Sequence, residues 1–542
     1  MSNRTGRGKK LESDENEQSP ESIGLAQDET TPLLIGSEDF AGTSIRANAT
    51  GKPWRLLITT LLHSLLAGIS MSYAVAVLNI PQQMVEEFVN RSFHHHYHHN
   101  LSGYELSSLW SVIINVVHIG AFLSTFISSP IVNRCGRKVA LFLIMNFLQI
   151  CGSLFMSSAC YAGSFELLLV GRLLVGLSRG MGIGWLALYL TEVSPNDYRG
   201  MVASFQALAF TSGILLSTIL SMPTVLGTAR LWPLLVALGA VPSLIQILLF
   251  QTVPETPKFL YLQRGDRSGA IKSIRFYHGS KTNIGRVLRE FENERIARGE
   301  GQAEGISLKT TFSQRHYRLP ILLGCVTNIA SMSSGILAIF SYSTDMFVQA
   351  GIPANNAGYG SIIVFCTNVL GGIVAPFLLD RVGRRPMLLC GLSVNVACCI
   401  VFIICSNLTS LAGKWLAQLS VAAIIIHVFA YRLGPGAVSW FLVAEMTLQV
   451  IRSRAVSFSV ASDCLAALVT IQVYLVLEKA IGSYAFFLFI IPTTVSIVIL
   501  YIYLPETKGR SVDQIVAEWM MSSASTKTNA GNELACSEAT FT

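Results

Sequence analysis

Long apolar runs separated by short polar stretches fill most of this chain. Runs near 20 residues, the length a helix needs to cross a roughly 30 Å hydrocarbon core, number about twelve. They cover Leu56–Leu78, Leu109–Val132, Val139–Ala159, Phe165–Tyr189, Met201–Met222, Leu231–Thr252, Leu319–Tyr342, Tyr359–Leu379, Pro386–Cys405, Trp415–Val443, Ala455–Leu477 and Tyr484–Leu504. The pattern predicts an all-α membrane protein in which each run is a spanning helix. Residues 1–53 are polar and lack the apolar core of a signal peptide, so they read as a disordered tail, with a second tail at 505–542. Between the sixth and seventh runs, residues 253–318 carry patterned apolar positions among charges, as in SGAIKSIRFYHG and IGRVLREFENERIARGE. That stretch predicts a linker of amphipathic helices joining two six-helix bundles, 54–252 and 319–504.

Composition agrees: 51% of the 542 residues are hydrophobic and only 13% charged, and the mean hydropathy of +0.52 excludes a soluble fold. The net charge of +7 suggests an acidic partner such as nucleic acid until its placement is read. Arg134, Arg137 and Lys138 follow the second run, Arg381, Arg384 and Arg385 the eighth, Arg452 and Arg454 the tenth, and Lys508 and Arg510 the twelfth. This is the positive-inside pattern, which puts these loops, the linker and both termini in the cytosol and leaves no nucleic-acid partner to expect. Most of the eleven cysteines, Cys151 and Cys398 among them, fall inside apolar runs and pack as small hydrophobes; Cys160 and Cys405 lie near the outer ends. No spacing suggests a zinc or disulfide framework, and no G-x-x-x-x-G-K-[ST] loop is present, so neither a cofactor, an enzyme activity nor an ATP-driven pump is expected.

The stretch SFHHHYHHN packs five histidines between Ser92 and Asn100, in the loop 79–108 expected outside the membrane. Sequons flank it at Asn90 and Asn100, and Asn407 begins another in a further outer turn. Adjacent imidazoles hold Zn²⁺ or Cu²⁺ loosely and gain charge as pH falls through about 6.5. A transport site needs ligands within the membrane, so the expectation is a solvated, glycosylated loop with no metal site.

The chain repeats itself at ~250 residues, the mark of transporter folds built by duplication. Arg134-Cys135-Gly136-Arg137-Lys138 is echoed by Arg381-Val382-Gly383-Arg384-Arg385, Glu192 with Arg199 by Glu445 with Arg452, and Pro254-Glu255-Thr256 by Pro505-Glu506-Thr507. Acid and arginine on different helices can pair in one state and part in another, which makes a gate.

Together NRCGRK, VGRLLVG, TEVSPNDYRG, PETPKFL, DRVGRRP, GPGAVSWFLVAE and LPETKGR resemble the sugar-porter branch of the major facilitator superfamily, and especially its facilitative hexose transporters of the GLUT type. The likeness runs from Leu56 to Ile515. It implies twelve helices in two six-helix bundles, a substrate cavity between them and alternating access by rocking. It also implies a cytosolic gate network, which carries over to Arg134, Arg137, Glu192, Arg199, Asp380, Arg384, Glu445 and Arg452, and substrate contacts at Gln206, Asn368 and Trp440.

Other positions depart from the family pattern. Where the resemblance leads one to expect paired glutamines and an asparagine on the seventh span, this chain has Ser331, Met332 and Leu337. Arg432 replaces a glutamate before GPG, and Asp463 and Ala467 replace asparagines. Each sugar hydroxyl left unpaired in a buried site costs roughly 1–3 kcal/mol, so these changes bear on which solute fits.

Ionisable residues within spans face a cavity or a partner, and Arg179, Arg432 and Asp463 stand out. Asp463 reads either as one side of an ion pair with an arginine or as a proton carrier; Arg432 matches a planar organic anion such as urate or a carboxylate. His118 and His427 read as structural, and Gly176, Gly180 and Gly184 as a face packed against another helix of the same bundle. The family's proton-coupled members carry an aspartate in the first span where this chain has Ala74, which favours a uniporter for a hexose or related polyol. An anion uniporter, a proton-coupled symporter and a non-transporting sugar sensor are the alternatives. In the first tail, ETTPLL places Glu29, Leu33 and Leu34 as an acidic dileucine, a signal for a clathrin adaptor and for an endosomal or lysosomal pool beside the plasma membrane.

Overall fold

The computed structural model describes residues 54–195, 198–279, 282–302, 308–412, 414–448, 451–510, 512 and 514–519. In the first half, α1 (Trp54–Ala76), α3 (Gly103–Cys135), α4 (Arg137–Ala162), α5 (Phe165–Val193), α6 (Arg199–Leu220) and α7 (Trp232–Thr252) are apolar rods, with α2 (Gln82–Tyr97) inserted after the first. Short helices α8 (Pro257–Leu262), α9 (Arg267–His278), α10 (Ile284–Gln302) and α11 (Leu308–Ser313) form the linker. The second half comprises α12 (Arg315–Ser333), α13 (Ile336–Gln349), α14 (Ala354–Val382), α15 (Arg384–Ala412), α16 (Lys414–Leu433), α17 (Pro435–Met446), α18 (Arg452–Ile481) and α19 (Phe487–Tyr503). Counting α12 with α13, and α16 with α17, as single broken spans gives twelve among the described residues, each within a few residues of its apolar run.

Both breaks follow from local chemistry. Gly335 adopts φ 92°, a conformation costly for any residue with a Cβ, and the Phe489 ring packs where that Cβ would stand. At the second break Pro435 opens α17 without an N–H to give.

Large apolar side chains such as Phe126, Phe377, Leu248 and Tyr501 stand exposed around the outside, as a bilayer solvent requires. Small residues let helices approach within each half. A Cβ on Gly176 or Gly180 would collide with the α3 backbone at Val117 or Ala121, whereas Gly184 faces open space, so the glycine face is two residues long rather than three. Between halves, α3 packs on α18 and α6 on α14. These two seams frame the site.

The stretch expected as a solvated loop is the helix α2. Its buried face, Val85, Phe88, Val89 and Ser92, packs onto the first half, and Phe88 meets Trp232 with ring centroids 5.4 Å apart. The histidines occupy its exposed last turn and the residues beyond it. His96 reaches Glu166 at 3.5 Å and His99 reaches Glu105 at 3.7 Å. No cluster of three metal-ligating side chains occurs among the described residues.

Candidate functional site

Hydrogen bonds close the seam at the rim that carries α2. Asn79, just past α1, donates to the Phe340 carbonyl (3.2 Å) and to Ser343 Oγ (2.8 Å) on α13, and accepts from the Thr344 N–H (3.3 Å). Gln82 donates to Glu86 (2.9 Å) and across to Asp345 (3.1 Å). On the other seam Asn115 of α3 donates to the Leu468 carbonyl of α18 at 2.7 Å. Buried, and each donating an N–H across a seam, these amides clasp one half to the other. Sequence reasoning missed them, although NIPQQ places three amides, Asn79, Gln82 and Gln83, at the end of an apolar run.

Midway through the bundle the seam turns polar. Ser331 on α12 donates to the Tyr431 hydroxyl at 3.3 Å. Tyr431 lies close enough to feel the charges of Asp463 and Arg432. Arg432 passes over Gly371 and Gly372 of α14, where a Cβ at Gly371 would come within 2.9 Å of its own Cβ, and donates to the Ala207 carbonyl on α6 at 3.2 Å. It thereby bridges the halves beside Gln206, whose amide nitrogen donates to the Ile183 carbonyl at 3.0 Å. Asn368, one turn before the glycine pair, is 1% exposed with its Oδ1 unpartnered. Arg432 thus ties the segment that carries Gln206 to the helix that carries Asn368. Trp440, on α17 beyond the Pro435 break, is 46% exposed. Met332, Leu337 and Ala467 are buried in the apolar core, so the lost glutamine and asparagine positions supply packing rather than hydrogen bonds.

Asp463 and Arg179 face each other electrostatically across α18 and α5, yet no hydrogen bond or direct ion pair joins them among the described residues. Arg179 Nη1 lies 3.3 Å from His118 Nδ1, and its guanidinium lies 5.7 Å from the Phe210 ring centre. Asp463 Oδ1 is buried without a partner. A fourth charge, Arg172 of α5, was overlooked although it sits within VGRLLVG; it is 1% exposed, donates one N–H to the Ile114 carbonyl and leaves Nε and Nη1 unpartnered.

At the linker rim the duplicated motifs prove to be one construction made twice. Arg137 holds Glu192 through Nε and Nη2 at 2.9–3.1 Å, and Thr256 donates to the same carboxylate at 2.6 Å. In the second half Arg384 meets Glu445 at 3.4 Å and Thr507 donates to it at 2.8 Å. Glu255 accepts the Lys138 N–H at the start of α4 as Glu506 accepts those of Arg384 and Arg385 at the start of α15. Burial pushes the Glu255 carboxyl up against the pull of these N–H groups, whereas at Glu506 four backbone N–H groups outweigh burial and hold it down. Gly136 (φ 92°) and Gly383 (φ 106°) make the preceding turns, where a Cβ would meet each carboxylate.

The arginine–glutamate pairs thus lie inside each half rather than between halves, and they are made in the state in which the opposite rim is clasped. Arg452 donates to the Thr447 carbonyl at 3.3 Å, and Arg134 is exposed. The side chains of Arg199 and Asp380 lie outside those described, as do Glu29, Leu33 and Leu34.

Two like halves of six spans, closed on one rim and holding a polar site at mid-depth, define a membrane carrier of the major facilitator architecture. The model of the family described as "Sugar (and other) transporter" matches residues 60–519, and the chain belongs to that family. It is 30% identical over 462 residues to the Gallus gallus solute carrier family 2, facilitated glucose transporter member 1, covering 85% of this chain and 93% of that protein. It is likewise 30% identical over 492 residues to member 4 from Homo sapiens, covering 89% and 93%. The inward-open xylose transporter XylE from E. coli superposes with a TM-score of 0.69 at 20% identity, over 85% of this chain and 99% of that one.

Proposed function

We propose that this chain is a facilitative transporter of a hexose or related polyol, working by alternating access, with the linker rim in the cytosol. One observation carries the reading: Arg432 of the second half reaches the Ala207 carbonyl of the first, beside Gln206, beneath a rim clasped by cross-half amides, and the reading places a solute there among Gln206, Ser331 and Asn368. A site of this kind binds a hydroxylated solute and releases it to one side at a time. The glucose-transporter relatives support a sugar, and the basic loops of the linker rim support the orientation. Plasma-membrane residence with an endosomal pool, through a clathrin adaptor at Glu29, Leu33 and Leu34, belongs to the same proposal.

A second reading, proton-coupled symport, draws on the unpartnered Oδ1 of Asp463. Uptake of labelled glucose, fructose and inositol into proteoliposomes, with and without a pH gradient, separates the two. Saturable uptake indifferent to the gradient supports the uniporter. Accumulation driven by the gradient and lost in Asp463→Asn supports symport, and no saturable sugar flux overturns both.

A further inference from the structure

Away from both rims, the described interior of the spans holds three arginines, Arg172, Arg179 and Arg432, against one carboxylate, Asp463. Asp463 faces Arg179, which leaves Arg432 and Arg172 without a counter-charge among the described residues. An uncompensated charge in a low-dielectric interior costs several kcal/mol, and a mobile anion removes that cost by binding. Arg172 is sealed away beneath the α2 rim; Arg432 is half-buried in the seam. Among the described residues Arg432 makes one hydrogen bond, from Nη2 to the Ala207 carbonyl, so Nε and Nη1 remain for a ligand beside Gln206. Its stem packs on the Gly371–Gly372 notch and Nη2 is held by the Ala207 carbonyl, and a guanidinium so placed binds a planar carboxylate through two parallel hydrogen bonds.

Neutral hydrogen-bonding side chains lie on the segments that Arg432 joins: Gln206 is next in the chain to Ala207, whose carbonyl it meets, Ser331 bonds the adjoining Tyr431, and Asn368 lies one turn before the glycine pair it crosses. A small inorganic anion would leave them unused, and a neutral hexose would leave the guanidinium unpaired. We propose that the site takes a sugar acid of the hexuronate class, its carboxylate on Arg432 and its hydroxyls on Gln206, Ser331 and Asn368. This rests on the transporter reading above and narrows its substrate.

The test is uptake by the full-length protein in proteoliposomes at neutral pH, with labelled D-glucuronate, D-glucose, urate and chloride presented separately under a set membrane potential. Saturable glucuronate uptake that responds to potential and competes with glucose is expected. Arg432→Gln is expected to lower the glucuronate-to-glucose flux ratio by about tenfold or more, with Arg432→Lys in between because lysine keeps charge without the fork. Saturable glucose flux with glucuronate excluded overturns the inference and leaves the sugar reading standing. An unchanged ratio in Arg432→Gln also overturns it. Flux of urate or chloride alone, or of nothing, sinks the sugar reading and this inference with it. Should Arg432→Gln elute aggregated from size exclusion, the wild-type ratio and Arg432→Lys decide.

Discussion

Asn79 helps hold the α2 rim shut, because its one amide pairs with three groups of α13. Net hydrogen bonds are worth roughly 1 kcal/mol each, so Asn79→Ala should shift the equilibrium between closed and open α2 rim by about tenfold or more. Spin labels placed across that rim would report a longer distance population, and an unaltered distribution would show that the apolar contacts alone close it. Asn90 and Asn100 differ in the same concrete way. Asn90 sits on α2 with its Oδ1 buried, and Ser92 of its sequon is bonded to the Gly163 carbonyl at 2.6 Å, while Asn100 is exposed between α2 and α3. With the third sequon removed by Asn407→Gln, Asn100→Gln should therefore abolish the glycosidase-sensitive mobility shift and Asn90→Gln leave it in place. Arg432 and Asp463 were legible in the sequence because a charge inside an apolar run is conspicuous. Asn79 and Gln82 were not, since amides at the end of a run look like any loop, and only the opposing α13 shows what they bond.

Repeated motifs were the most legible feature at the level of elements, and the structure supplies their physical content. Each PET glutamate accepts N–H groups opening the third helix of its half, and each PET threonine donates to the glutamate that ends the fourth or tenth span. Glu192→Gln leaves Arg137, whose side chain is 7% exposed, without its counter-charge. A buried arginine so stripped costs about 3–5 kcal/mol, which should appear as a lower melting temperature with turnover of the folded protein little changed; an unchanged melting temperature would empty the pair of its bracing role. The α2 helix was read as a loop because its histidine-rich end hides a short buried stripe of Val85, Phe88, Val89 and Ser92. The breaks at Gly335 and Pro435 escaped notice for a similar reason: apolar composition runs straight through them.

Over the whole molecule, the clasped rim is also a titratable one. Burial pushes the Glu86 carboxyl up, against the pull of Gln82 and Lys479 and with the help of Asp345. Glu478, which feels the same lysine and aspartate, completes the cluster. A carboxyl raised only when the rim is closed binds its proton more tightly in that state. Acid on the α2 side, from the ordinary carboxylate range up to the raised value, therefore favours closure, and the preference fades as pH rises above it. Sugar exchange entered from that side should slow on acidification, and Glu86→Gln should flatten the response; equal slopes would exclude Glu86 as its source. The duplicated brace has a further consequence for engineering. Because its arginine–glutamate pairs close within a half and the Asn79 clasp spans the seam, thermal robustness and cycle speed reside in separate parts of the molecule, and a variant library can tune one without spending the other.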